Sequence, residues 1–281
     1  QAASSHLSHR QLCKIILNNH IPILAGQGSK KVVRDRQEVF ILMGGTNAEK
    51  QVSLMSGTNV WLKLKNYKNF NVRLFFVRKS GLINEIKEDI ALYHTCEEIE
   101  DKLDSIDKTL TCDLIDSNQI IPNELKDIVP TKSKDISAQD FCQIASSNKA
   151  FVFVALHGGQ GEDGTWQNLL EKHNIPYNGS DSRTSRICMN KHDSGIKINN
   201  LKNSHLYSLD KYPLQLDLPL THATASFIQK YRKVIIKPIS DGCSAGVCVI
   251  SSIQELENYR SFVISQANKI PENTFVYQKG I

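Results

Sequence analysis

Val39 to Met43 form an unbroken apolar run that ends on Gly44 and Gly45. A strand with one wet face alternates apolar and polar residues, whereas a continuous run is buried on both faces, which happens in parallel sheets covered by helices. The residues that follow obey the same grammar. Val52, Met55, Val60 and Leu64 fall near helical spacing, and Val72 to Val77 form another apolar run, so the order is strand, glycine turn, helix, strand. A second such unit starts at Phe151 to Leu156, the strongest strand pattern in the chain. It is followed by a loop, His157 to Gly164, and by a helix with Trp166, Leu169, Leu170 and His173 on one side. Ile175 to Tyr177 reads as a short strand, and Ser182 to about Asn200 as one helix leaving this domain.

A chain of 281 residues exceeds the usual size of one hydrophobic core, so two domains are expected. Residues 1–37 read as an extension or linker, 38–182 as a Rossmann-like domain, and 183–281 as part of a second domain. Between the two strand–loop–helix units, residues 84–147 are rich in Asp, Glu, Lys and Ser, with short apolar clusters at Leu110 to Ile115 and Ile120 to Ile121. They read as an inserted set of helices and hairpins with a solvated face. In the second domain Val234 to Lys237, Val247 to Ile250 and Phe275 to Gln278 are β-rich runs, and Ile253 to Ala267 is helical. That arrangement predicts an antiparallel sheet with packed helices, an α+β architecture distinct from the first domain.

The net charge of +5 is modest and spread along the chain, so nothing supports nucleic-acid binding. The densest basic cluster, Lys30, Lys31, Arg34 and Arg36, reads as a solvated connector. No stretch approaches the roughly 18 apolar residues of a membrane helix. The seven cysteines form no CxxC pair and are odd in number, which favours reduced thiols in an intracellular compartment. Asn178, Gly179 and Ser180 spell a glycosylation acceptor that means nothing without secretion. The chain opens on Gln1 and closes on Ile281 within a strand run, so both ends are expected to be cut.

Three segments can carry chemistry. Gly44 to Glu49 follow a strand and open a helix, where backbone amides and the helix dipole favour a carboxylate or phosphate; a purely structural turn needs the same glycines. His157 to Gly164 lie at the carboxyl end of a buried strand, where ligands collect in open α/β sheets. His157 there is a candidate ligand contact or a structural partner, and Glu162 and Asp163 can equally cap the next helix. Lys237 ends an apolar strand, where an ammonium is costly unless an anion meets it, and the small-residue loop from Ser240 to Gly246 can cover phosphates or be a plain hairpin loop.

These segments, in this order, resemble the D-alanine-D-alanine ligase family of ATP-grasp enzymes. The matching blocks are GGTNAEKQVSLMSG at Gly44 to Gly57, ALHGGQGEDGTWQNLLE at Ala155 to Glu171, IPYNGS at Ile175 to Ser180, MNK at Met189 to Lys191 and IIKPISDGCSAGV at Ile235 to Val247. The resemblance implies an α/β fold: a Rossmann-like pre-ATP-grasp domain, then the first part of an α+β ATP-grasp domain. It implies an ATP-dependent carboxylate–amine ligase acting on two D-alanines through an acyl phosphate, with Mg2+ bridging the phosphates. Glu49 takes the position of the acid that meets the first substrate's ammonium, and His157 that of the histidine near its carboxylate. Lys191 and Lys237 match the lysines that hold ATP phosphates, and Ser244, Ala245 and Gly246 match the phosphate-covering loop. Gln278 and Lys279 fall on the strand that contacts the nucleotide. The family's common state is a homodimer in the cytoplasm. The loop DGCSAG and the block GGTNAEKQVSLMSGTNVWL look closer to plant and algal members, which makes a plastid location an alternative.

Two departures stand out. Cys243 replaces the serine that usually follows the loop glycine, and a thiol is a weaker donor; Gln278 stands where bacterial members commonly have glutamate. The metal-binding carboxylates and the second-substrate residues of the family correspond to positions beyond Ile281, so the chain taken alone is expected to form no dipeptide. The alternatives are a non-catalytic homologue that keeps the nucleotide-binding fold and an ATP-grasp ligase with a different second substrate.

Overall fold

The computed structural model describes residues 36–105, 134–203, 205–216, 218–240, 242 and 246–267. They divide into two units. The first comprises the described residues of Gln1–Thr46, Lys50–His157 and Leu169–Gly179; the second comprises those of Asn47–Glu49, Gly158–Asn168 and Ser180–Ile281.

The first unit is built on the apolar run identified above. Strand β1 (Gln37–Gly44) pairs in parallel with β2 (Phe70–Val77) on one side and with β4 (Phe151–Val154) on the other. The short β3 (Ile83–Ile86) adds an antiparallel edge, giving the order β3-β2-β1-β4. Val39, Phe40, Ile41, Leu42 and Met43 are all 0% exposed, because β1 has strands on both edges and side chains over both faces. Val39, Ile41 and Met43 join the cluster containing Leu54, Trp61 and Leu64 of helix α1 (Lys50–Leu64). On the opposite face Phe40 meets Phe75 at 4.7 Å between ring centroids, and Phe75 meets Phe141 of α3 (Ala138–Ser147) at 4.9 Å, edge to face.

As far as they are described, residues 84–147 have the helices, hairpin strand and solvated face read from the sequence, but their buried side belongs to the core of the first unit and is not an insertion apart from it. Residues 83–86 form the edge strand, and Ile90, Cys96, Ile99 and Leu103 are buried in the main core. Helical residues 96–105 (α2) are also tied to β2 by charge: Arg78 binds Glu100 at 2.8 Å, and Asp104 as well, with both Arg78 and Glu100 side chains largely buried. Burial works against the Arg78 charge, but its hydrogen bonds to Asp104 and Glu100 outweigh it and raise the pKa. The many Asp, Glu and Lys residues masked this contribution in the sequence. The clusters at Leu110 to Ile115 and Ile120 to Ile121 lie outside the described residues, as do Lys30, Lys31, Arg34, most of the 1–37 segment and the strand run at Phe275 to Gln278.

Two smaller expectations are corrected. Ile175 to Tyr177 form no strand but a single parallel bridge, Tyr177 to Val152. There Asn178 uses its side chain to imitate a strand, accepting from the Val154 N–H at 2.6 Å and donating to the Val154 carbonyl at 3.3 Å. The helix expected from Ser182 to Asn200 is two helices, α6 (Ser182–Met189) and α7 (Lys191–Asn200), broken at Asn190. In the second unit β5 (Val234–Ile236) and β6 (Cys248–Ile250) pair antiparallel, as the sequence predicts. Their inner residues Ile236 and Ile250 pack with Ile228 of α8 (His222–Tyr231) and Leu256 of α9 (Ile253–Ala267).

Of the described cysteines none is paired. Burial pushes the Cys96 thiol up to about 12, helped by Glu97, and the Cys142 thiol up to about 11, while Cys188 is exposed. Iodoacetamide at pH 8 is therefore expected to alkylate Cys188 well before Cys96 or Cys142, because the thiolate is the nucleophile; peptide mass mapping showing equal rates would contradict this. At Gly44, φ is +92° and an added Cβ would lie 2.5 Å from the Val77 carbonyl oxygen. Gly44→Ala should lower stability by about 2 kcal/mol or more, read from the urea midpoint, and an unchanged midpoint would show that the turn can move.

Candidate functional site

Both strand–loop–helix segments of the sequence end at the carboxyl edge of the parallel sheet, where β1 and β4 lie side by side. Gly44 and Gly45 take positive φ angles, and the Gly45 N–H donates to the Val77 carbonyl at 2.8 Å. That turn is thus fully explained by backbone geometry, and this part of the segment needs no ligand. Asn47 then accepts from the Glu49 N–H at 2.8 Å, which uses one of the amides at the opening of α1.

Beyond β4, the Ala155 N–H bonds the Leu42 carbonyl, and two residues later His157 Nε2 lies 2.9 Å from Ser56 Oγ of α1. His157 is half-buried, and its ring meets a hydroxyl from a helix about a hundred residues earlier in the chain. Ser56 lies inside the GGTNAEKQVSLMSG block, but the sequence reading gave it no role. Its only signal there is its position three residues after Ser53 on one helical face.

Within the second unit, Glu49 lies beside Gly158 and Gly242. An added Cβ at Gly158 would lie 2.0 Å from Glu49 Oε2, and one at Gly242 would lie 2.8 Å from Glu49 Oε1. Any side chain at either position would compete with the carboxylate for space. Asn47 fills the same corner, 2.9 Å from where a Cβ at Gly159 would be. The rest of the His157 to Gly164 segment has structural work: α4 (Gly159–Glu162) is a short helical turn, and Asp163 accepts from the Thr165 N–H at 2.8 Å at the start of α5 (Thr165–Lys172). The capping alternative holds for Asp163.

Lys191 is the first residue of α7. Asn190 breaks the chain into two helices and accepts from the His192 and Asp193 N–H groups, both at 3.0 Å, while the Lys191 N–H donates to the Ile239 carbonyl at 2.9 Å. Asp181 likewise caps α6: the bond from the Thr184 backbone N–H holds its carboxyl below the usual range. Lys191 and Lys237 both line one cavity of about 590 Å3, within the range of small-molecule sites. Its other walls include Tyr212, Phe227 and Tyr231, tilted against one another with ring centroids 5.6 and 4.9 Å apart, and the inner residue Ile236.

Lys237 is not the buried ammonium that its place at the end of an apolar strand predicts. Alternation along β5 turns Ile236 inward at 6% exposure and leaves Ile235 at 63% outward; Lys237 is solvent-exposed. Its interest rests on the cavity that it lines together with Lys191. Phe227 and Tyr231 stand four residues apart on α8, a spacing that would have exposed the aromatic wall in the sequence. Cys243, Ser244, Ala245, Gln278 and Lys279 lie outside the described residues; Gly246, with φ +67°, accepts from the Tyr259 hydroxyl at 2.7 Å. Among the described residues no group of three His, Cys, Asp or Glu side chains could hold a metal ion, and no helix is long and apolar enough to cross a membrane.

A parallel sheet with glycine-bounded loops at its carboxyl edge, and a unit with an antiparallel strand pair and a lysine-edged cavity, define a mixed α/β protein with the features of a small-molecule site. The family described as D-ala D-ala ligase N-terminus matches residues 38–180, half of the chain, and the chain belongs to that family. It is 36% identical over 127 residues to the D-alanine–D-alanine ligase of Pseudoalteromonas translucida, covering 45% of this chain and 39% of that protein. To the D-alanine–D-alanine ligase of Streptococcus uberis it is 26% identical over 242 residues, covering 84% of this chain and 58% of that protein. The crystal structure of D-alanine-D-alanine ligase from Helicobacter pylori shares the fold, with a TM-score of 0.53 at 21% identity over 87% of this chain and 65% of that one. The chain thus spans less than two thirds of the length of each of these relatives.

The Asn190 cap is expected to matter for the cavity edge. Asn190→Ala should destabilise the chain by about 1 kcal/mol, as loss of a helix N-cap does, whereas Asn190→Asp should retain most of it. Equal denaturation midpoints for Asn190→Ala and the parent would show that α6 and α7 hold their break without the cap.

Proposed function

We propose that this chain is the amino-acid-binding and first nucleotide-binding part of an ATP-dependent ligase that joins two D-alanines. In this reading residues 38–182 form the pre-ATP-grasp domain and 183–281 the first part of the ATP-grasp domain. The observation that carries it is the pairing of Lys191 and Lys237 in one cavity: two cations edging an apolar, aromatic-walled space suit a ligand with a flat ring at one end and phosphates at the other.

The first D-alanine presents an ammonium and a carboxylate. Glu49 receives the ammonium, its carboxylate occupying the space left by the missing side chains of Gly158 and Gly242. His157 donates to the carboxylate side, and Lys191 and Lys237 neutralise phosphate oxygens as charge builds on them. Ser244, Ala245 and Gly246 cover the phosphates, with Cys243 beside them, and Gln278 and Lys279 contact the nucleotide. A carboxylate oxygen attacks the γ-phosphorus, giving an acyl phosphate and ADP; the second D-alanine's amine then attacks the acyl carbon and phosphate leaves. Positioning supplies most of the gain, since the attacking carboxylate and the triphosphate are both anionic and must be held together against their repulsion. Magnesium, when bound, would neutralise phosphate charge, and the described residues offer no ligand set for it.

The complete protein that carries this chain should release ADP in the presence of D-alanine and not of L-alanine, with D-alanyl-D-alanine as product by mass spectrometry. Lys237→Ala should raise KM for ATP at least about tenfold while leaving KM for D-alanine within about twofold. Absence of D-alanine-dependent ADP release from the unaltered protein would overturn the assignment.

A further inference from the structure

We propose that Ser56 is a positioning residue for His157: its hydroxyl donates to Nε2, which turns the ring and holds the proton on Nδ1. The inference rests on the role proposed for His157 above. Ser56 Oγ and His157 Nε2 are 2.9 Å apart, and both are anchored to β1 independently of any ligand. On the helix side, α1 is pressed onto the strand at Gly57, where an added Cβ would lie 2.7 Å from Met43, and Ser53 and Leu54 beside it are 0% and 2% exposed. On the strand side, β4 is in register with β1, and the Ala155 N–H bonds the Leu42 carbonyl at 2.9 Å, two residues before the histidine. The Ser56–His157 bond therefore closes a rigid triangle of helix, strand and strand.

A neutral imidazole has one donor nitrogen and one acceptor, and the partner of one sets the role of the other. With Nε2 accepting from Ser56, the donor is Nδ1–H, the form that a carboxylate requires. Without the hydroxyl Nε2 loses the donor that favours its unprotonated form, and the proton is expected to shift toward that nitrogen. Loss of a partner that orients a ligand-contacting histidine typically costs an order of magnitude or more in function.

The test uses the complete protein with Ser56→Ala, Ser56→Thr, His157→Ala and the double variant Ser56→Ala/His157→Ala. Ser56→Ala is expected to raise KM for the first D-alanine about tenfold with KM for ATP unchanged, and Ser56→Thr to recover most of that loss. The double variant should be no worse than His157→Ala, since Ser56 acts only through the ring. Nitrogen-15 NMR of the imidazole supplies the readout independent of turnover: His157 should show Nδ1 protonated and Nε2 unprotonated, and Ser56→Ala should mix the two. An active parent whose Ser56→Ala variant keeps both its D-alanine KM and its tautomer would overturn the inference. Additive losses in the double variant would overturn it as well. A parent with no D-alanine-dependent turnover would instead remove the ligase reading on which it rests.

Discussion

Burial of β1 on both faces and along both edges is the constraint from which the rest of the first unit follows. Five consecutive apolar side chains leave the strand no wet face, so α1 must cover one side and α3 the other, while β2 and β4 must take its hydrogen bonds. Such a strand can only run into the sheet and out through its carboxyl end. That is why the chain needs Gly44 there: with φ +92° and the Val77 carbonyl 2.5 Å from where a Cβ would be, no other residue makes the exit without strain. The two exits, after β1 and after β4, are adjacent because the strands pair directly.

Adjacent exits explain the Ser56–His157 contact. The parallel crossover from β1 through α1 places the second turn of the helix over the strand end, and β4 delivers His157 to the same edge. Glycine plays a second part in the other unit, where its lack of a side chain makes room for a functional group. Gly158 and Gly242 leave space for the Glu49 carboxylate, and a methyl at Gly158 would overlap it. Here the absence of atoms shapes the acid's surroundings as much as any partner does.

The second unit has less core, and its features lie on the surface of a small sheet. Ile236, Ile250, Ile228 and Leu256 hold β5 and β6 to α8 and α9, and the outward residues Ile235 and Val249 stay more than half exposed. Lys237 belongs to that outward set by strand alternation. Its link to Lys191 comes from Asn190, which ends one helix, starts the next and brings Lys191 to the cavity edge. A cap residue, with no charge of its own, thereby determines where a charge sits.

Periodicity alone was enough to identify β1, β2, β4, α1, α9 and the parallel character of the first sheet, because complete burial leaves an unmistakable run of apolar residues. The glycine loops were also legible, since positive φ and close approach restrict residue choice so strongly. Charge-rich sequence hid β3, α2 and α3: a few well-spaced apolar residues, Ile83, Ile86, Ile99, Leu103 and Phe141, suffice to dock them, and the Asp, Glu and Lys between them reach solvent or the Arg78 network. The exposure of Lys237, the break at Asn190 and the pairing of Ser56 with His157 were decided by tertiary structure. Each depends on which groups meet across more than a turn or a strand of chain, and one-dimensional spacing does not record those distances.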